Sequence, residues 1–211
     1  MRRIFCFAFM FFASFAANGQ EAAEVRPAVD ETAAVLPEEQ SVRPEVAAFM
    51  EKAEKNRPHS FSYTLEINEP DKTRTVGVYQ KNDKVRMEFR LFGGMLSSFA
   101  ESVFISDGTN GYVYMPKINI ATKASSKSSN TTLNFKTLDL TGFELGEKTV
   151  KNGFDCRMLY HKEKGSEVCV SEQYGLPVYG KDGDTVSNVT SVKKENINDS
   201  LFKLPAEVSV F

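Results

Sequence analysis

Between Phe61 and Ile67 every second side chain is apolar: Phe61, Tyr63, Leu65 and Ile67 are separated by Ser62, Thr64 and Glu66. Val85, Met87 and Phe89 repeat the pattern around Arg86 and Glu88. Successive side chains of a strand point to opposite faces, so this period specifies a sheet with one buried face. Further strands are predicted at 74–80, 102–107, 111–116, 143–151, 153–161, 166–172, 175–180, 184–195 and 206–210. Turn signals separate them at Glu69-Pro70-Asp71, Asn82-Asp83, Asp107 to Gly111, Asn152-Gly153, Lys164-Gly165 and Asp182-Gly183. Connections this short make neighbours antiparallel, and about ten or eleven such strands curl into a barrel or a sandwich.

Two stretches carry the helical period instead. In 44–56, Val46, Phe49, Met50 and Ala53 form one apolar stripe, and Pro44 suits a first turn. In 90–102, Leu91, Phe92, Met95, Leu96 and Phe99 do the same, although Gly93 and Gly94 each weaken a helix by up to about 1 kcal/mol. The polar run ATKASSKSSNTT, 121–132, has no apolar anchor. It reads as a mobile surface loop, with a flap over a cavity as the alternative.

The chain opens MRRIFCFAFMFFASFAANGQ: two arginines, then an apolar run from Ile4 to Ala17 broken by Ser14, then small residues. That is the layout of a secretory signal peptide, over 1–19, with a cut before Gln20 or before Ala17. The run is shorter than the roughly 20 residues of a membrane span, so no stable span is expected. Residues 20–44 hold six acids, two arginines and no aromatic residue, and read as a disordered acidic tether. The remaining 167 residues, 45–211, carry 22 basic and 22 acidic side chains and suit one domain. This balance offers no electrostatic footprint for nucleic acid.

Catalytic patterns are missing. Only His59 and His161 are present, no familiar zinc spacing occurs, and His161 falls at a hairpin tip where exposure is the default. Glu66 and Glu88 lie on the polar faces of their strands, where solvated charge is the ordinary reading. No catalytic residue, metal or cofactor is therefore assigned, and an enzyme is not expected. Cys156 and Cys169 could in principle be a redox pair, half a metal site or a staple. Export favours the staple. A turn centred on Lys162 and Glu163 sets Cys156 directly opposite Cys169 on neighbouring strands, close enough to bond.

The order of signal peptide, short helix, FSYTLEI, KVRMEFR, VFISDGTNGYVYMP and SLFKLPAEVSVF resembles the LolA-like superfamily of bacterial envelope proteins, the lipoprotein-sorting carriers and their relatives. The resemblance spans most of 45–211 and rests on the K-x-R-x-E strand, the aspartate-glycine turn before an aromatic strand ending in Pro116, and Phe202-x-x-Pro205. It implies an incomplete antiparallel β-barrel whose concave side is covered by two or three short helices. Such a protein works in the periplasm and shields the acyl chains of lipoproteins or lipids; related folds act as sensors or scaffolds that bind an envelope protein or peptide. The apolar groove is then expected at Phe61, Tyr63, Leu65, Val85, Met87 and Phe89, joined by Tyr112 and Tyr114. Leu91, Phe92, Met95, Leu96 and Phe99 would form its lid. Family carriers tie a cavity arginine to that lid, but Arg86 and Arg90 alternate with Met87 and Phe89, and the role is not carried over.

Overall fold

The computed structural model describes residues 42–91, 101–124 and 139–211. The signal peptide, and the tether as far as residue 41, lie outside them. Helix α1, Pro44–Lys55, buries the predicted stripe of Val46, Phe49, Met50 and Ala53. Its end is capped by the Asn56 N–H, which donates to the Ala53 carbonyl, and by the Arg57 N–H, which donates to that of Glu54.

Six strands follow: β1 Ser60–Glu69, β2 Lys72–Lys81, β3 Lys84–Leu91, β4 Ser102–Ser106, β5 Gly111–Met115 and β6 Ile120–Ala124. A second run comprises β7 Phe143–Lys151, β8 Phe154–His161, β9 Ser166–Ser171, β10 Leu176–Asp182 and β11 Thr185–Lys194, and Ser209–Val210 forms β12. Among the described residues these make one sheet in the order β12-β6-β5-β4-β3-β2-β1-β11-β10-β9-β8-β7. Its twelve strands accumulate twist into a long, curled but open sheet, the incomplete barrel that was expected.

Three boundaries differ notably from the sequence reading, one being the last strand, read as 206–210 and formed by Ser209–Val210 alone. Arg90 and Leu91 end β3 rather than begin a helix, because they continue the ladder opposite Thr75 and Arg74. Residues 121–124, read as the start of a loop, belong to strand β6, with Ala121 fully buried. Its flanking Thr122 and Lys123 hide the period-two signal. Pairing with β5 on one side and with β12, in parallel, on the other makes it a strand.

The cysteines are bonded, with Cα atoms 5.5 Å apart, inside the usual range for a disulfide. The register that predicted the bond is corrected by two residues. Residues 162–165 form a four-residue turn in which the Gly165 N–H donates to the His161 carbonyl at 2.8 Å and Gly165 sits at φ +64°. His161 therefore pairs with Ser166 and Met158 with Cys169, so Cys156 is the diagonal neighbour of Cys169 on the same face. Either register puts both thiols on one side of the hairpin, which is why the bond survives the shift.

Opposite sides of the β8–β9 ladder serve two cores. Cys156, Met158 and Cys169 join a large cluster with residues of β1–β4, β10 and β11. Leu159 and Val170 turn the other way and bury Phe143, Val46, Phe49 and Met50, so α1 packs on the face away from the disulfide. After β11 the chain runs back as a strap. The Ile197 N–H donates to Ser60 Oγ, Lys81 Nζ to the Ile197 carbonyl, Arg86 to the Leu201 carbonyl, and Asn119 to the Glu207 carbonyl. Phe202, at the end of a short 3-10 turn over Asp199–Phe202, is buried beneath it.

Candidate functional site

Six of the eight expected groove residues share one cluster. Phe61, Tyr63, Leu65, Val85 and Met87 are at most 8% exposed, and Phe89 packs partly buried against them. Phe104 and Val113 complete this face, since Met87 pairs with Phe104 and Phe104 with Val113. Tyr112 and Tyr114 pair with Ile105 and Val103 and thus lie on the other face, with Arg86 and Glu88. Period two in β5 leaves the choice of face open; only the register against β4 decides it. Of the expected lid, Leu91 closes β3, while Phe92, Met95, Leu96 and Phe99 lie outside the described residues.

At the head of this face stands a polar group that the sequence did not single out. The chain leaves α1 through Arg57 and Pro58 and enters β1. The turn between β9 and β10 holds it there: the Asn56 side chain donates to the Glu172 carbonyl, and Gly175, at φ +59°, lies against the helix end. A Cβ on Gly175 would fall 2.3 Å from the Ala53 carbonyl oxygen and 3.0 Å from Arg57 Cβ, so glycine is required by both space and backbone. The Arg57 side chain is only 7% exposed; one Nη lies 3.3 Å from Glu54 and the guanidinium 6.0 Å over the Phe61 ring. Burial pulls its pKa down, opposed by Glu54 and Tyr63.

Tyr63, next inward on β1, stacks on Phe61 and is flanked by Val78 and Val192 in the ladder. Its hydroxyl is buried and finds no hydrogen-bond partner among the described residues. Burial raises its pKa, and the Arg57 charge works against that rise.

Both sheet edges present apolar side chains: Val150 on edge strand β7 is 60% exposed, and at the β12 end Ile118, Val210 and Phe211 are 50%, 45% and 76% exposed. An open depression of about 490 Å³ adjoins β7, between Lys148, Val150, Asp155 and Glu172. Glu172 accepts from Lys52 at 2.8 Å and lies 3.6 Å from Lys148, which holds its carboxyl below the ordinary range, with the Lys52 hydrogen bond as the main cause. Titratable groups elsewhere are paired in similar ways: Glu88 with Arg86 at 2.8 Å, and Glu66 with the Asn68 amide at 3.0 Å. Among the described residues no three His, Cys, Asp or Glu side chains gather as a metal site would need. No described helix is long and apolar enough to cross a membrane. His161 is a correction: it is 4% exposed, edge-on to Phe143 at 5.2 Å, and its Nδ1 accepts from the Lys164 N–H. The four-residue turn folds Lys162–Gly165 beyond it, so His161 is the last ladder residue rather than the tip.

No protein-family model matches this sequence, and no curated protein matches it. Solved structures do match its fold. An uncharacterized conserved protein from Thermus thermophilus superposes with a TM-score of 0.59 at 13% identity, over 79% of this chain and 98% of the other. A chain of the Pseudomonas aeruginosa MucA/MucB complex gives 0.53 at 13% identity, over 79% of this chain and 63% of the other. MucB alone gives 0.50 at 13%, over 80% of this chain and 66% of the other, so the present chain spans slightly less than two thirds of MucB. At such identity the likeness is one of fold.

Proposed function

We propose that this protein is a binding module of the bacterial cell envelope, without catalytic chemistry of its own, that engages a protein partner along an open edge of its sheet. One contrast carries the reading. The face expected to be an open acyl groove is core, at most 8% exposed at Phe61, Tyr63, Leu65, Val85 and Met87, whereas Val150 on edge strand β7 stands 60% exposed beside a depression. A strand edge offers a row of backbone donors and acceptors to an extended segment, with specificity from pockets for its side chains. The fold likeness to a chain solved in the MucA/MucB complex supports the same reading. Export through residues 1–19 into the periplasm belongs to this proposal, and the bonded cysteine pair fits an oxidising compartment.

The test is a photo-crosslinking amino acid at Lys148 in the exporting cell. One defined protein adduct is expected, lost when Val150→Lys puts a charge on the edge. Co-purified acyl species with no protein adduct would sink the partner reading.

A second reading, a carrier of apolar or acylated cargo, is favoured by one observation: the unmated Tyr63 hydroxyl beside Arg57 on the apolar face. Solvent extraction of the purified protein followed by mass spectrometry checks it, with bound acyl species as the expected result.

A further inference from the structure

We infer that the partner on the β7 edge is a second copy of this chain, whose own β7 runs antiparallel to the first about a two-fold axis through Thr149. The inference rests on the edge reading proposed above and names the occupant of that edge.

The first argument is the direction of the backbone. Lys151 pairs with Phe154 across the two-residue turn Asn152-Gly153, whose φ values of +53° and +82° are those of a tight hairpin turn. Such a turn leaves its flanking residues bonded to each other, and bonded and unbonded pairs alternate from there along the ladder. Thr149 and Lys151 therefore direct their backbone groups to β8. Lys148 and Val150 direct theirs outward, where no strand lies among the described residues. The register shift between Leu145 and Lys148 is a bulge that ends the straight edge.

The second argument is the charge pattern. The outward groups meet when Lys148 faces the partner's Val150 and Val150 faces the partner's Lys148. That register sets Thr149 against the partner's Thr149 and Glu147 against the partner's Lys151, the latter twice by symmetry. Threonines and opposite charges directly across a ladder attract, and like charges repel. Sliding two residues one way sets Lys148 against the partner's Lys148; sliding two the other way forms no Glu–Lys contact. Glu147 and Lys151 are steadied beside the edge by rings of their own chain. Glu147 accepts from the Tyr160 hydroxyl at 2.7 Å, and Lys151 stands 4.6 Å over the Tyr179 ring.

The third argument is what the edge excludes. Lysines and a bulge ordinarily guard an edge against pairing. Here the second copy answers each lysine. Lys151 meets the partner's Glu147, and Lys148, its charge 3.6 Å from its own Glu172, can lay its stem over the partner's Val150. A strand of another sequence leaves these charges unmatched, so the guard admits this chain's own edge and rejects others. Five residues a side, Glu147 to Lys151, make a small contact, so the dimer is reversible and forms at high concentration.

The experiment uses the full chain purified from the exporting cell and reads its mass by sedimentation velocity from micromolar to millimolar concentration. Wild-type protein is expected to pass from monomer to dimer over that range. Glu147→Lys and Lys151→Glu should each raise the dissociation constant roughly thirtyfold, since each turns two attractions into repulsions. Mixed in equal amounts, the two variants should dimerise about as tightly as the wild type, because every lysine of one then faces a glutamate of the other. A role for these side chains within their own subunit gives no such rescue. Deuterium exchange on wild-type protein is a readout that depends on no variant folding. The amides of Lys148 and Val150 should slow as concentration rises, and that of Val210, at the other end of the sheet, should not. Wild-type protein that stays monomeric at millimolar concentration overturns the self-pairing. So does a dimer that leaves the Lys148 and Val150 amides unslowed, or a variant mixture that fails to dimerise where the wild type does. In each of these cases the photo-crosslink at Lys148 decides the wider reading: an adduct with a different protein keeps the edge as a docking site with another occupant, and no adduct overturns both.

Discussion

The strands from Ser60 to Ala124 and those from Phe143 to Lys194 are both antiparallel meanders, yet different means hold them. The later meander has a covalent bond across β8 and β9 and a helix packed on the opposite face of the same ladder. Among the described residues the earlier one has neither; its backing there is the strap, attached through Ser60, Lys81, Lys84, Arg86 and Asn119 and by buried Phe202. The two join through β1 and β11, whose register shifts once, between Thr64 and Leu65. The later meander is taken as the fixed half and the earlier as the adjustable half, since local opening is expected first where covalent and helical support is least. Tyr63 sits on β1, at the seam.

The largest effect should come from the fixed half. Phe143 is 1% exposed, anchors α1 against β7–β9, and meets His161 edge-on. Phe143→Ala should destabilise the protein by about 3–5 kcal/mol, read as a lowered denaturant midpoint. Amide exchange should quicken first in α1 and β7. Equal quickening in β2–β5 would mean that the halves are one unit and the contrast is empty.

Replacing both Cys156 and Cys169 by serine ranks next. Twelve residues separate the cysteines, and a link of that span is worth about 3 kcal/mol in the chain-entropy account. Melting should drop by several degrees, with added exchange confined to β8 and β9. Two free thiols in the denatured, unreduced wild-type protein at these positions would remove the staple altogether.

Much of this contrast is already legible in the sequence, and the parts that are not fail for physical reasons. Alternation in 61–67 and 85–89 reports a buried face because every partner across the ladder obeys the same period, so local pattern and tertiary structure agree. Alternation in 111–115 does not say which face is buried, since Val113 and Met115 are as apolar as Tyr112 and Tyr114. The cysteine hairpin shows how a right conclusion can come from a wrong register. A shift of two residues preserves the face, whereas a shift of one would have separated the thiols. Ile120–Ala124 is held by two neighbours rather than by its own residues, and propensity cannot see neighbours. Arg57 was invisible for a similar reason. Its burial is made by a turn more than a hundred residues away, where Gly175 closes on Ala53.

The smallest effect tests the adjustable half through its electrostatics. Asp199, in the strap, accepts from Lys84 at 2.6 Å and from Lys81 at 3.0 Å. Those contacts, the Lys84 hydrogen bond foremost, bring its carboxyl down from 3.8 to about 2. A carboxyl with a depressed pKa stabilises the state in which it is ionised. Its contribution is therefore complete above the ordinary value, fades as pH falls from about 4, and is gone once pH passes below about 2. Asp199 is exposed, so water and salt screen the attraction and the gain in overall stability is small. The local signature should nevertheless be clear. In a 13C titration the Asp199 carboxyl should change near pH 2, and the amides of Leu201 and Phe202 should follow it. Lys84→Gln, or 1 M salt, should move that midpoint toward the ordinary value. If the carboxyl moves and the Leu201 and Phe202 amides do not, buried Phe202 alone holds the strap, and the earlier meander is fixed by packing as firmly as the later one is by its disulfide.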